Sequence, residues 1–307
     1  MNEEKVMSSR VFYSIAWLVP ICSALFYFSN KVFLTEQDSP IMLNFGSSFF
    51  SLIFSSFIFI RSEKISTLKN IDKISWIYII FIGILMGVLA RLVLLYGQSL
   101  TTASNAGFLV RTSPVFTIVL GYFFLNEKIT RYQFYIIALM IIGVFFMMTE
   151  GHFSFHKGDA LVLVYGAFLS LDFILSKKIL SRGISPPILT FLRFLIGTLA
   201  MSLVLTWTVP MVFVGWHACL LSGFFLYATI LTRQIALKHI KVSIVSGLVL
   251  LSPVFTALFG TLLLRETLSP LQAIGGLLIA LCGYLLFRAE WQVKPQIIPV
   301  AKPVGLS

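Results

Sequence analysis

The stretch Ser104–Gln133 occurs twice in this chain. Its centre reads Ser113-Pro114-Val115-Phe116-Thr117, followed by Gly121, Leu125 and Glu127. The same letters return 139 positions later as Ser252-Pro253-Val254-Phe255-Thr256, Gly260, Leu264 and Glu266, and Ser104 and Gln133 map without a gap onto Ser243 and Gln272. Each copy places a proline inside an apolar helix. Pro114 and Pro253 remove a backbone donor and free a carbonyl, which predicts a kink in both helices. Such kinks at matching places in two halves mark a membrane carrier built from internal repeats.

Composition places both copies in a bilayer. The chain has 307 residues, of which 58% are hydrophobic and 11% charged, with a mean hydropathy of +0.95. A soluble domain cannot hide that much apolar surface, whereas lipid solvates it. A helix needs about 20 apolar residues to cross the hydrocarbon. Ten segments qualify: 11–30, 39–60, 76–97, 102–125, 131–149, 160–180, 187–206, 212–237, 242–264 and 270–287. The expected fold is all-α and integral to the membrane.

The net charge of +11 would suggest nucleic acid as a partner in a soluble protein. Here its placement matters more. With the N-terminus in the cytoplasm, 16 Lys and Arg fall on the cytoplasmic side and three, Lys31, Lys157 and Arg265, outside. The other four, Arg91, Arg111, Arg193 and Arg233, lie inside helices. This bias predicts both termini in the cytoplasm of a multi-pass protein of the cell (inner) membrane. The charge orients the chain, and no nucleic-acid partner is expected. Cys22, Cys219 and Cys282 fall in helices without paired spacing and read as small packing residues. No cleavable signal is evident, because the first apolar run is long enough to remain as a span.

The two halves align from their starts. Ser23, Ser29, Lys31, Pro40 and Ile41 match Ser170, Ser176, Lys178, Pro187 and Ile188 at an offset of 147. The offset falls to 139 by the fourth helix, so the first half carries extra residues, assigned to the basic loop Arg61–Ser75. Five helices per half is an odd number, so the second repeat must lie inverted relative to the first. The expected organisation is an N-terminal tail over 1–10, repeats over 11–149 and 159–287, and a disordered cytoplasmic tail over 288–307, where prolines accumulate. Thr130 with Gln133, and Ser269 with Gln272, have capping-box spacing at the start of the fifth and tenth helices. Gly83, Gly87, Gly275, Gly276 and Gly283 are the expected close-packing positions.

Two five-helix repeats, each with a central S-P-V-F-T and a following L-x-E-x-[IL]-[TS], resemble the EamA family of the drug/metabolite transporter superfamily. The resemblance covers residues 11–287. It implies inward- and outward-facing states around a central cavity lined by helices one to four and six to nine. It also implies a cargo among amino acids, nucleosides and other small metabolites, often exported. The family's Arg-Phe pair in the second helix of each repeat is present as Arg193-Phe194, but Gly46-Ser47 stands at the aligned place in the first half. That half carries Arg91 and Arg111 instead, and Leu250 is the repeat mate of Arg111.

A buried Arg or Asp costs about 2.5–3.5 kcal/mol on insertion scales, so each needs a reason. Counted at about 1.5 Å per residue, Arg91 and Arg111 lie roughly 9 and 14 Å below the outer surface with no carboxylate at that level. Asp172 and Arg193 fall near ~20 and ~21 Å, with Arg233 slightly deeper. Asp172 and Arg193 read as an ion pair, or Asp172 as a proton-coupling acid. Arg233, near a helix end, reads as a lone side chain reaching for the cytoplasm. Arg111, with Arg91, reads as the group that holds a substrate carboxylate or phosphate, since a planar guanidinium grips two oxygens at once; the alternative is an arginine that hydrogen-bonds helix carbonyls or water. Ser113, Tyr96, Gln98, Asn44, Asn105, Tyr165 and Trp17 are further candidates for the cavity wall. Glu127 and Glu266 read as helix-end residues.

The expected function is secondary transport of a small polar metabolite, amino-acid-like and anionic or zwitterionic, by alternating access. The alternatives are a drug or lipid exporter, or a carrier of a nucleoside or a sulfonium metabolite such as S-adenosylmethionine. An enzyme is not expected: one buried Asp and His217 near the membrane supply neither an Asp-rich metal motif nor a protease constellation. His152 and His156 read as surface histidines, and no metal or cofactor is expected. The partners are the bilayer and a small molecule, and both proton coupling and a homodimer are compatible with the pattern.

Overall fold

A computed structural model describes the backbone of residues 3–34, 40–63, 65–208 and 216–292, and the side chains of most of them. Among the described residues the secondary structure is helical. The rods are α1 (Glu3–Leu34), α2 (Pro40–Ser62), α3 (Lys73–Ser99), α4 (Ala103–Leu125), α5 (Arg131–Thr149), α6 (Asp159–Ser181), α7 (Pro186–Thr208), α8 (Trp216–His239), α9 (Val242–Leu264) and α10 (Pro270–Gln292). Nine of these, α2 to α10, are long and apolar enough among the described residues to cross a membrane. Helix extends into both segments expected as tails. α1 already begins at Glu3 and α10 continues to Gln292, while residues 293–307, expected to be disordered, lie outside the described residues. The basic loop 61–75 is not wholly irregular, since Ile65–Asn70 winds into a 3-10 helix.

Local chemistry sets the boundaries. Thr130 Oγ1 accepts the Gln133 amide (3.2 Å) while Gln133 Oε1 accepts the Thr130 amide (3.1 Å), and Ser269 with Gln272 repeats this reciprocal cap at the start of α10. At the far ends of α4 and α9, Asn126 (φ 52°) and Arg265 (φ 55°) adopt left-handed backbone in register. Both rods are also broken in register. α4 is interrupted at Arg111–Thr112, where the Arg111 and Thr112 amides drop back to Phe108 and Leu109. α9 is interrupted at Leu250–Leu251, with amides bonded to Gly247 and Leu248. Pro114 and Pro253 open the second segment of each rod, where a missing donor is harmless.

Corresponding rods have corresponding neighbours in the two halves. α1 lies on α8 and α9 as α6 lies on α3 and α4, and α2 packs on α8 as α7 packs on α3. Pairs α2–α7, α4–α9 and α5–α10 join each rod to its own mate. Polar contacts between segments collect at two ends of the bundle. One end holds Lys31 with Glu266, Thr101 with Asp159 and Gln272 with Glu150. The other holds Asp72 with Arg182, Glu63 with Ser185 and Glu127 with the Val242 amide.

Glycines fix the closest crossings, because bare backbone lets two helices approach. A methyl on Gly87 would lie 2.4 Å from the Gly197 Cα, and one on Gly275 would lie 2.5 Å from the Gly143 carbonyl oxygen. Gly276 differs: a methyl there would meet only the end of Met147, at 3.8 Å. Gly87→Ala is therefore expected to destabilise by about 1–3 kcal/mol through forced separation of α3 and α7, with Gly276→Ala near neutral. Thermal unfolding of the two variants in detergent checks the contrast; equal melting points would contradict it.

Candidate functional site

The helix break in α4 places Arg111 at the interior of the bundle. Its Nη1 donates to the Gly107 carbonyl (2.9 Å), its guanidinium lies over the Tyr27 ring (5.2 Å to the centroid), and its Nε is buried without a partner. Arg91 follows a π-helical turn at Leu85–Leu89, the stretch in which α3 is pressed against α7. Its Nη1 donates to the Asn44 carbonyl (2.6 Å) in α2. Tyr165 of α6 lies within electrostatic reach of both arginines and of Tyr27. Neither Arg91 nor Arg111 forms an ion pair among the described residues.

The second group is a charge triad. Asp172 in α6 is fully buried, with Arg193 Nη1 of α7 at 2.5 Å from Oδ1 and Arg233 Nη2 of α8 at 2.7 Å from Oδ2. Arg233 also stacks on Phe173 (4.6 Å to the centroid). Reading Arg233 as a lone, outward-reaching side chain is thus corrected: it is 5% exposed and pairs with Asp172. Position along a helix gives depth but not direction, and Arg233 turns toward α6 rather than toward the bundle end. A carboxylate held by two guanidiniums offsets part of its own desolvation cost and theirs.

The two groups are contiguous rather than separate layers. Arg193 pairs with Asp172 and also lines a cavity of about 40 Å³ whose wall includes Arg91, Ser48 and Thr198. Four cations and one carboxylate thus share one interior region, leaving an excess of positive charge.

Other candidates disperse. Asn44 belongs to the site through its carbonyl. The Ser113 carbonyl is tied to α6 by the Ser170 hydroxyl (2.8 Å), and Thr117 bonds Ser170 in turn (3.0 Å), so this part of the motif holds helices together. Tyr96 and Gln98 are exposed on α3. Trp17 meets Phe287 edge-on (5.3 Å) and packs on the main core. Asn105 bonds the Ser154 carbonyl (2.6 Å) and His156 (3.2 Å) in the loop before α6. Tyr27, Ser48 and Thr198 were not singled out by sequence. Uncharged side chains in apolar helices carry no local signal, and only the facing arginines reveal them.

The profile of the EamA-like transporter family matches residues 12–149 and 156–288. An uncharacterized transporter of Methanothermobacter thermautotrophicus is 28% identical over 238 residues, which are 74% of this chain and 68% of that protein. An uncharacterized transporter of Synechocystis is 23% identical over 75% of this chain and 70% of its own. A crystal structure superposes with a TM-score of 0.75 at 16% identity, covering 92% of this chain and 99% of that one, which bears on the fold alone.

Proposed function

The chain belongs to the EamA-like transporter family, and on that premise we propose that it carries a small anionic or zwitterionic metabolite, amino-acid-like in its charge, across the cell (inner) membrane by alternating access. The carrying observation is the pair Arg91 and Arg111, half-buried in one region beside Tyr165 and Tyr27, with no carboxylate partner among the described residues. Interior positive charge with open donors fits a carboxylate or phosphate, which supplies the missing counter-charge on binding. A cationic drug would need a free interior carboxylate. Asp172 already serves two arginines, so it is also read as their fixed partner rather than as a proton carrier.

The proposed architecture has ten membrane spans in two inverted five-helix repeats with both termini in the cytoplasm. The symmetric packing supports it, as do the contacts at the bundle ends. The end of α1 meets the end of α9, the end of α3 meets the start of α6, and the end of α5 meets the start of α10, which is the pattern expected if each rod runs opposite to its mate. Rocking of one repeat against the other around Arg91 and Arg111 would then expose them to each side in turn.

Reconstituted liposomes tested with labelled amino acids, other carboxylates, nucleosides, sulfonium metabolites and quaternary ammonium dyes discriminate the readings. Uptake of a carboxylate-bearing class, competed by other carboxylates, is expected with or without a pH gradient. Uptake restricted to dyes or to uncharged nucleosides would overturn the proposal.

A further inference from the structure

α4 and α9 share a sequence centre, a break and a left-handed end. After Asn126 and Arg265 the next amides, of Glu127 and Glu266, bond to Gly121 (3.1 Å) and Gly260 (3.2 Å) in the same way. Their carboxylates nevertheless do different things. Glu127 Oε2 accepts the amide of Val242 (2.8 Å), the first residue of α9. Around it, Lys241 Nζ donates to the Lys128 carbonyl (3.1 Å), and the buried Lys177 Nζ donates to the Leu237 and Ile240 carbonyls (2.5 and 2.8 Å) at the end of α8. By the repeat offset, Glu266 should meet the amide of Ala103 at the start of α4. It does not: both its oxygens lie 2.6 Å from Lys31 Nζ in a half-exposed pair.

Packing and burial break symmetry in the same sense. The second segment of α4 packs on the first segment of α9, and the exchanged contact has no comparable counterpart. In the most apolar window 61% of residues are buried for α9 and 22% for α4. Ser243 is 1% exposed beneath α4, whereas its mate Ser104 is exposed. The bundle is therefore closed at the Glu127 end and splayed at the Glu266 end.

We propose that Glu127 and Glu266 are reciprocal latches. In this structure Glu127 holds the first turn of α9 and shuts its end. In the opposite state Glu266 leaves Lys31 and takes the Ala103 amide while Glu127 releases Val242. Both are positioning residues, since neither faces the arginines that would hold cargo. The proposal rests on the alternating-access reading, but its test needs no cargo.

The full-length protein, with Cys22, Cys219 and Cys282 replaced by Ala, is placed in nanodiscs that leave both faces open. The reaction of N-ethylmaleimide with Ser104→Cys or Ser243→Cys is then timed. Ser104→Cys is expected to react at least about tenfold faster. Adding Glu127→Ala removes a charge-assisted bond that only this state makes. It should speed Ser243→Cys by about tenfold and slow Ser104→Cys, because opening one end closes the other. Glu127→Gln keeps an acceptor and should fall between. Glu266→Ala removes the opposite latch and should slow Ser243→Cys further, an arm that stands even where Glu127→Ala fails to fold. A faster Ser243→Cys without a slower Ser104→Cys would mean local fraying and overturn the proposal. Unchanged rates, or a faster Ser243→Cys in Glu266→Ala, would do the same. Failure of every cargo in liposomes with reciprocal rates intact would remove the substrate reading alone; uptake without reciprocity would remove the latches alone.

Discussion

Asp172→Asn is expected to be among the most destabilising single substitutions in this protein. The carboxylate is fully buried and is the ion-pair partner of both Arg193 and Arg233. Removing it leaves two guanidiniums in the interior without a counter-charge, a change that costs about 3–5 kcal/mol. At roughly 2 °C or more per kcal/mol, the melting temperature in detergent should fall on the order of 10 °C. The repeat itself supplies the control. At offsets of 147 for α6 and α7 and 139 for α8, the mates of Asp172, Arg193 and Arg233 are Leu25, Gly46 and Leu94. One half of the molecule therefore folds without any of the three charges. The triple variant Asp172→Leu, Arg193→Met, Arg233→Leu should recover most of the stability lost in Asp172→Asn, since well-packed apolar groups replace a buried ion cluster at little cost. An unaltered melting point for Asp172→Asn would show that the triad is not held together by charge. A triple variant less stable than the single one would show that its geometry matters beyond charge balance.

Arg111→Leu should act in the opposite manner, abolishing transport while leaving the fold intact. Within the protein Arg111 makes one bond to the Gly107 carbonyl and one stacking contact with Tyr27, and its Nε has no partner. The folded state loses little with it. Leu250, buried at 1%, already occupies the mate position in α9, so the helix break accepts leucine. If the guanidinium grips a carboxylate by two charge-assisted bonds, uptake should fall about 100-fold or more. Arg111→Lys keeps the charge but not the planar pair of donors, so it should be intermediate, mainly through a raised KM. Uptake equal to that of the unsubstituted protein in Arg111→Leu would remove Arg111 from the binding site.

Much of the architecture is legible in the chain because it is local or repeated. The caps at Thr130 and Ser269 depend on side chains three residues apart. The breaks at Arg111 and Leu250 follow from a proline that cannot donate. Asp172 and Arg193 sit at similar depths on consecutive helices, so their meeting is foreshadowed by counting residues. The misses have a common cause. Arg233 was placed at a depth and Trp17, Tyr96 and Gln98 on the cavity wall, but their direction around the helix was unknown. Arg233 turned inward to Asp172, Trp17 turned to Phe287, and Tyr96 and Gln98 turned outward.

By itself the sequence determined that the chain is a helical membrane protein of two related halves, because hydropathy, proline and capping act within a few residues. The tertiary structure alone decided which faces meet. Azimuth is set where helices touch, at crossings as tight as Gly87 on Gly197 and Gly143 on Gly275. Those contacts join residues far apart in the chain. They bring Arg91, Arg111, Arg193 and Arg233 into one interior region with a single carboxylate. They also bury α9 under α4 while its repeat mate stays open, a difference that two nearly identical sequence motifs could not encode.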